Sequence, residues 1–251
     1  ISLWKLGKEK WNEWVSENRV FHISFKGVDF SLHVQDDKVV SFDGYEFPRG
    51  QVSFRNANFG EGGVSFIGAK FGDGDVSFIG AKFGGGSVSF NEACFGDGSV
   101  SFNEASFGDG SVSFSHACFG DGNVLFESAS FGDGYVTFYA ASFGDGFISF
   151  IEAIFGDGNI SFHEACFGDG NVLFDEVNFY NGYVSFNKVI FGDGKVSFIG
   201  ATFGDGNISF LEAIFGDGDV LFDAANLGDG SVSFNEASFG NGDVSFDSVD
   251  L

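Results

Sequence analysis

The side chains of this chain that could do chemistry are chiefly carboxylates held between glycines. The tripeptide Gly-Asp-Gly recurs at twelve-residue intervals, and its Asp column includes Asp97, Asp109, Asp121, Asp133, Asp145, Asp157 and Asp169. Glycine suits a crowded or left-handed backbone and Asp suits turns, so each tripeptide is predicted to form a corner. Carboxylates stacked about 5 Å apart would attract cations or a basic surface. These residues form a hypothetical acidic corner ladder for binding.

Calcium binding is one interpretation of this ladder, and we favour solvated turn residues instead. The calcium-binding β-roll signature, Gly-Gly-x-Gly-x-Asp-x-apolar, does not occur in the sequence. The sequence also lacks metal-ligand spacing, and Gly-Asp-Gly-x-Val is typical of a turn before a strand rather than of a phosphate loop. We therefore predict no metal site and no cofactor.

Nucleophilic side chains are few and poorly arranged for catalysis. His116 is near Cys118 in sequence and His163 is near Cys166, as in a Cys-His pair, but their predicted positions face outward without an orienting third residue. We predict that the protein is not an enzyme. The odd number of cysteines indicates reduced thiols and a cytoplasmic location. A column of outward Ser residues could bind ice, although small polar residues on a solvated strand are the interpretation we favour.

A twelve-residue repeat positions all of these side chains. From Val40 to Leu251 the chain contains seventeen full repeats and eight further residues, which is typical of a solenoid. Apolar and polar residues alternate as in strands, so Val100 and Phe102 are predicted to face inward and Ser101 outward. We predict an all-β solenoid at 40–251 after an N-terminal cap at 1–39, with a helix at about 4–17 and an irregular first coil containing Asp36-Asp37.

Two columns of Phe residues are predicted to form the core of this solenoid. One follows the Val-x-Phe strands and the other closes each five-residue link. Burial of one Phe side chain contributes about 1.5–3 kcal/mol, so continuous columns explain how so repetitive a chain can fold. Representative core residues from the middle of the chain are Phe90, Phe95, Phe102, Phe107, Phe114, Phe119, Phe126 and Phe131.

The five-residue link from Phe102 to Phe107, with its small Ala105 two residues before an aromatic, resembles the pentapeptide-repeat family. The segment Trp11-Asn12-Glu13-Trp14 is also similar to leaders that precede such repeats. The resemblance implies a right-handed quadrilateral β-helix in which each four-sided coil contains two of the twelve-residue repeats. The seven-residue link departs from the family pattern, and the alternative is a two-sheet coil of one repeat. In the four-sided coil Cys94 and Cys118 would be stacked neighbours.

The charge of the chain limits its partners. Residues 51–251 carry a net charge of −23, against −1 for residues 1–50, which argues against binding to nucleic acid or an anionic membrane. We expect a protein partner with a basic surface. One subgroup of the pentapeptide-repeat family, which this chain resembles, imitates duplex DNA and binds type II topoisomerases, so the resemblance implies a partner of this kind. A charge of −23 over about 42 Å gives one charge per about 1.8 Å, close to the density of duplex DNA.

A structural, self-assembling solenoid is the alternative function. The chain stops eight residues into a repeat, and an uncovered coil exposes strand edges and apolar side chains. We therefore expect an end-to-end homodimer through the C-terminal coil if the chain is structural.

Overall fold

A computed structural model describes residues 1–34 and 39–250 of the chain. The predicted charged pair Asp36-Asp37 and the final Leu251 lie outside the described residues. The described chain forms a short helical N-terminal segment followed by a parallel β-solenoid.

Nineteen strands of two residues each follow one another along the described chain. They are β1 (Ile23–Ser24), β2 (Val40–Ser41), β3 (Val52–Ser53), β4 (Val64–Ser65), β5 (Val76–Ser77), β6 (Val88–Ser89), β7 (Val100–Ser101), β8 (Val112–Ser113), β9 (Val124–Leu125), β10 (Val136–Thr137), β11 (Ile148–Ser149), β12 (Ile160–Ser161), β13 (Val172–Leu173), β14 (Val184–Ser185), β15 (Val196–Ser197), β16 (Ile208–Ser209), β17 (Val220–Leu221), β18 (Val232–Ser233) and β19 (Val244–Ser245).

Odd-numbered and even-numbered strands form two separate parallel sheets, here called the odd sheet and the even sheet. In the odd sheet Val100 of β7 pairs with Val76 of β5 and with Val124 of β9, each two repeats away along the chain. Isolated parallel bridges form the remaining two sides, for example Ser106↔Ser130 and Cys94↔Cys118. This register confirms the predicted four-sided coil of two repeats. The alternative coil of one repeat is wrong, because it would pair Val100 with Val112.

The core consists of Phe rings that stack along the solenoid and meet edge to face across it. Phe102 stacks on Phe126 with centroids 4.8 Å apart and an interplanar angle of 4°. The same ring meets Phe114, one repeat away, at 5.5 Å and 84°. Offset-stacked and T-shaped pairs are the arrangements that the aromatic quadrupole favours. The Phe ladder is confirmed, and the representative residues Phe90, Phe95, Phe102, Phe107, Phe114, Phe119, Phe126 and Phe131 are all buried.

The left-handed backbone lies mainly at a different corner from the one we predicted. In the five-residue link Ala105 N donates to Phe102 O at 3.0 Å, and Glu104 has φ +58°, as the third residue of a type II turn requires. The Gly-Asp-Gly corners instead need glycine chiefly because successive coils approach closely. A Cβ added at Gly98 would lie 2.4 Å from the carbonyl carbon of Gly74 in the preceding coil. The crowding we expected at these corners is therefore present.

The helical segment covers the first coils. The helix predicted at about 4–17 is divided at Gly7, which has φ +88°, into a 3-10 turn Trp4–Leu6 and helix α1 (Lys8–Glu17). Trp11 is buried against Phe25, and its Nε1 donates to Glu46 O at 2.7 Å. The Glu46 backbone N donates in turn to Asn12 Oδ1 at 2.9 Å. A second 3-10 turn, Phe30–His33, follows β1.

The far end of the described chain is more exposed than the middle. Phe239 and Phe246 are 40% and 45% exposed, whereas Phe222 is 1% exposed. The end-to-end homodimer stays a prediction. Within the described residues, no helix has the length and apolar character that crossing a bilayer requires.

Candidate functional site

The predicted acidic corner ladder is divided between two separate corners of the solenoid. Residues that stack on one another are two repeats apart, so alternate members of the twelve-residue column lie on different corners. The first acidic row precedes the odd strands and contains Asp73, Asp97, Asp121, Asp145, Asp169, Asp193 and Asp217. The second acidic row precedes the even strands and contains Asp109, Asp133, Asp157, Asp205 and Asp229, with Asn181 between them.

Each row is held in place by hydrogen bonds between its own members. In the first row Asp169 N donates to Asp145 Oδ1 at 3.0 Å, and Asp193 N donates to Asp169 Oδ1 at 3.2 Å. In the second row Asp157 N donates to Asp133 Oδ1 at 3.1 Å. A backbone N–H bonded to an ionised carboxylate is a charge-assisted hydrogen bond. The bonds fix one carboxylate oxygen along the row while the side chains remain exposed to solvent.

Asparagine occupies the same place in both rows without changing this geometry. Asn181 Oδ1 accepts from Asp205 N at 3.2 Å, as an Asp does elsewhere in the rows. Asn241 ends the first row, where its backbone N donates to Asp217 Oδ1 at 3.0 Å. The hydrogen-bonding role therefore needs only an amide or carboxylate oxygen, and the negative charge of the Asp residues is additional to it.

Positive charge is scarce along these rows. Residues 83–187 contain fourteen Asp and Glu residues and no Lys or Arg. Beyond the two ends of this stretch, Arg49 Nε lies 3.6 Å from Asp73 and Lys188 Nζ lies 3.9 Å from Glu212. Both pairs are exposed, so solvent screens them. The middle coils consequently present an uncompensated anionic surface.

The outward Ser column does not form the uniform solvated hydroxyl surface that we favoured in the sequence. Ser149 and Ser197 are fully buried, and Ser65 and Ser185 are less than one-tenth exposed. The Ser197 hydroxyl donates to the Asp175 carboxylate, and the Ser65 hydroxyl donates to that of Asp43. Several of these hydroxyl groups therefore serve to tie one coil to the preceding one.

The three cysteines lie in one column on one side of the solenoid. Cys94 and Cys118 are stacked neighbours, whereas Ser142 separates Cys118 from Cys166. All three are free and exposed. Partial burial raises the pKa of the Cys118 thiol, and the neighbouring Cys94 raises it further. Among the described residues, no hydrogen bond joins His116 to Cys118 or His163 to Cys166.

An aromatic cluster on the even sheet is the feature that we did not single out from the sequence. Tyr135, Tyr139 and Tyr183 are 45%, 37% and 38% exposed, and they surround His163 and Asn159. A hydrogen bond to the Glu164 carboxylate raises the pKa of the Tyr139 hydroxyl above its usual value. The signal in the sequence was the spacing of four repeats between Tyr135 and Tyr183, which indicates only duplication of a longer unit.

Metal binding has no visible support in the part of the chain that the structure describes. No group of three or more His, Cys, Asp or Glu side chains there is arranged to hold a metal ion. In the acidic rows one carboxylate oxygen of a residue such as Asp145 already accepts a hydrogen bond from a backbone N–H.

Comparisons with known proteins give matches only among solved structures. No protein-family model and no curated protein sequence matches the chain. One match is a trypsin-treated variant of QnrB1, a plasmid-mediated fluoroquinolone resistance protein. It has 14% identity and a TM-score of 0.29, with 87% of this chain and 92% of that chain covered. Another is HetL, a pentapeptide repeat protein involved in heterocyst differentiation regulation from the cyanobacterium Nostoc. It has 13% identity and a TM-score of 0.21, with 87% and 91% covered.

The fold of this protein is defined by the geometry of the chain itself. That geometry comprises parallel coils of two repeats each, four pairing columns and a stacked Phe core. It confirms the predicted β-solenoid, with two repeats in each four-sided coil and a core of stacked Phe rings, and the chain is a repeat protein of this architecture.

Proposed function

We propose that this protein is a non-enzymatic acidic scaffold that binds the basic surface of a protein partner, and that it does so by imitating duplex DNA. The observation that carries the proposal is the pair of carboxylate rows, which the backbone of each coil holds in register with the next. Because backbone hydrogen bonds join each coil to the next, the negative charges keep a regular spacing that a complementary surface can match.

The charge density supports imitation of DNA. Residues 51–251 occupy about 8.4 coils, or about 40 Å at about 4.8 Å per coil. Their net charge of −23 then corresponds to one charge per about 1.7–1.8 Å, and duplex DNA carries one per about 1.7 Å. In residues 83–187 no Lys or Arg offsets the fourteen acidic residues, so this stretch presents an anionic surface without interruption.

The partner that we propose is a type II topoisomerase, or another protein with a surface that binds duplex DNA. The resemblance to pentapeptide repeats suggests this class, and the anionic surface suits it. The three free thiols support a cytoplasmic setting, where such partners occur and where reduced cysteines persist.

A supercoiling assay with gyrase tests this proposal, with binding measured at several salt concentrations. We expect the protein to inhibit supercoiling and its affinity to fall steeply with salt. The triple variant Asp121→Asn, Asp145→Asn, Asp169→Asn should weaken binding and reduce the salt dependence. Asn keeps the hydrogen bond in these rows, as Asn181 does, so the variant should still fold.

The matched control removes no charge. Ser106→Asn with Ser130→Asn changes exposed residues in a column where Asn58 and Asn178 already occur, and binding should be unchanged. The triple variant of the second row, Asp109→Asn, Asp133→Asn and Asp157→Asn, identifies which corner faces the partner. Absence of any interaction, or an interaction insensitive to salt, would overturn the proposal.

A further inference from the structure

We propose that the even sheet carries a binding slot for an arginine side chain of the partner protein. The tyrosine slot is defined by Tyr135, Tyr139, Asn159, Ser161, His163 and Tyr183. It forms an open depression of 340 Å³ across strands β10, β12 and β14. This inference rests on the proposed function, because it assumes a basic protein partner, and it locates one point of contact.

The walls of the slot are aromatic and its floor is polar. Tyr135 and Tyr183 occupy equivalent positions two coils apart, about 9.6 Å along the solenoid, with the smaller Asn159 between them. Two aromatic faces that sandwich a planar group at about 3.5–4.0 Å each lie about 7–8 Å apart, so the separation of about 9.6 Å between the two backbone positions leaves room for such a group. The Ser161 hydroxyl lies on the floor, where it is half-buried.

The walls are held by contacts within the sheet. Tyr183 N donates to Asn159 Oδ1 at 3.0 Å, and Asn187 Nδ2 donates to the Tyr183 hydroxyl at 3.4 Å. On the other side the Tyr139 ring stacks on His163, with centroids 5.7 Å apart and an interplanar angle of 9°. The slot is consequently formed before a ligand enters, which lowers the entropy cost of binding.

The charge around the slot selects a cation. Glu164 lies beside it, with one carboxylate oxygen 3.4 Å from His163 Nε2. Asp133 and Asp157 of the second acidic row precede Tyr135 and Asn159 by two residues. The nearest basic residue is Lys188, which occupies the same corner as Glu164 in the next coil and pairs on its other side with Glu212 at 3.9 Å. One lysine thus faces the three carboxylates of Glu164, Asp133 and Asp157. An anionic ligand would be repelled by these carboxylates.

Among cations, the guanidinium group of arginine fits the slot best. It is planar, it stacks on aromatic faces, and its forked N–H donors can bond a carboxylate such as Glu164 at the same time. A lysine ammonium is a compact, strongly hydrated charge and gains less from flat walls. Tyr and Arg, together with Trp, are also enriched among the residues that contribute most to binding at protein interfaces.

A titration with short neutral-ended peptides tests the slot without any protein partner. Acetyl-Gly-Arg-Gly-amide is added to the full chain, and binding is followed through the NMR signals of the tyrosine and histidine rings. The equivalent Lys and citrulline peptides are compared with it. We expect the Arg peptide to shift the Tyr139, His163 and Tyr183 signals, the Lys peptide to bind about threefold or more weakly, and citrulline to give no saturable shift.

Two variants place the site. Tyr139→Asn and Tyr183→Asn introduce a residue that the same columns already contain at Asn187 and Asn159, and each should weaken Arg binding about three- to tenfold. Tyr139→Phe keeps the ring and should retain most of the binding. The matched control is Tyr180→Asn, since Tyr180 is an equally exposed tyrosine outside the slot with φ +49°, a conformation that Asn tolerates.

The possible outcomes are distinct. The slot is overturned if the citrulline or Lys peptide binds as well as the Arg peptide, or if the two slot variants melt normally and bind Arg as wild type does. The triple variant Asp121→Asn, Asp145→Asn, Asp169→Asn should leave peptide binding at the slot within about twofold. A negative gyrase assay with a positive peptide titration would therefore reject the topoisomerase partner while supporting the slot.

Discussion

At the scale of single residues, the two kinds of corner impose different constraints: one requires a left-handed backbone and the other requires a small residue. The five-residue link places its second corner residue in the left-handed region, and this residue is Glu at 92, 104, 152, 164, 176, 212 and 236. A type II turn normally selects Gly or Asn at that position. The chain instead accepts some strain there and gains an exposed carboxylate. Glycine is favoured at the corners where coils touch.

The close approach between coils predicts a sharp difference between two glycines. A Cβ at Gly122 would lie 2.3 Å from Gly98 O, so Gly122→Ala must push two coils apart and should lower the free energy of unfolding by about 1–3 kcal/mol or more. At Gly85 the only nearby atom is Glu61 Oε2 at 3.5 Å. Gly85→Ala should therefore be neutral or stabilise the fold by about 0.4–1 kcal/mol.

Denaturant unfolding followed by circular dichroism measures both changes. The two variants make the same chemical substitution at corners of the same type, so differences in helix or strand propensity largely cancel. A Gly122→Ala variant whose stability lies within about 0.5 kcal/mol of the wild type would contradict the packing of coils described here.

At the scale of elements, the cysteine column reports directly which strands are neighbours. Cys94 and Cys118 occupy paired positions in adjacent coils, about 4.8 Å apart, which is within the range of a disulfide. Cys166 is two coils from Cys118, at about 9.6 Å, which is too far. Mild oxidation should therefore link Cys94 to Cys118 and leave Cys166 free.

Mass spectrometry of peptides from the oxidised, monomeric protein identifies the linked pair. The variant Cys118→Ser serves as the control, since the remaining thiols of Cys94 and Cys166 are three coils apart and should not join within one chain. An intramolecular link between Cys118 and Cys166 would show that the coils do not stack in the register found here.

The sequence was sufficient for the repeat and the inward Phe columns, and the family resemblance favoured the coil of two repeats. Because the period is strict, the residue at each inward position, such as Phe102 or Phe107, can be compared with the equivalent residue in all the other repeats. An atypical residue in one repeat therefore does not change the assignment of that position. The position of the left-handed residues was not predictable in this way. The sequence signal for a left-handed corner is Gly, and glycine occurs here at Gly98 for a different reason, its contact with Gly74.

The candidate site was predicted only in part. The Asp columns were visible, but their division into two rows depends on which strands pair. The spacing of the residues alone was compatible with a coil of one repeat and with a coil of two repeats. Nor does the sequence show that Asp145 Oδ1 accepts from the backbone of Asp169. The tyrosine slot arises where Tyr139, Tyr183 and His163 come together from three successive coils, and no local motif signals it.

At the scale of the whole molecule, the coil size determines the density of charge. With two repeats in each coil, the ten strands of the odd sheet span nine steps, or about 43 Å. A coil of one repeat would place the same charges over about twice that length and would halve the density. The comparison with duplex DNA, and hence the choice of a DNA-binding partner, depends on the shorter length.

Small-angle X-ray scattering of the monomer tests this length most directly, because the longest dimension differs greatly between the two coils. The four-sided solenoid with its helical segment should give a maximum dimension of about 60–65 Å, with a charge spacing along its axis close to that of DNA. A maximum dimension above about 95 Å would mean coils of one repeat, and it would contradict both the stacking of the acidic rows and the function built on them.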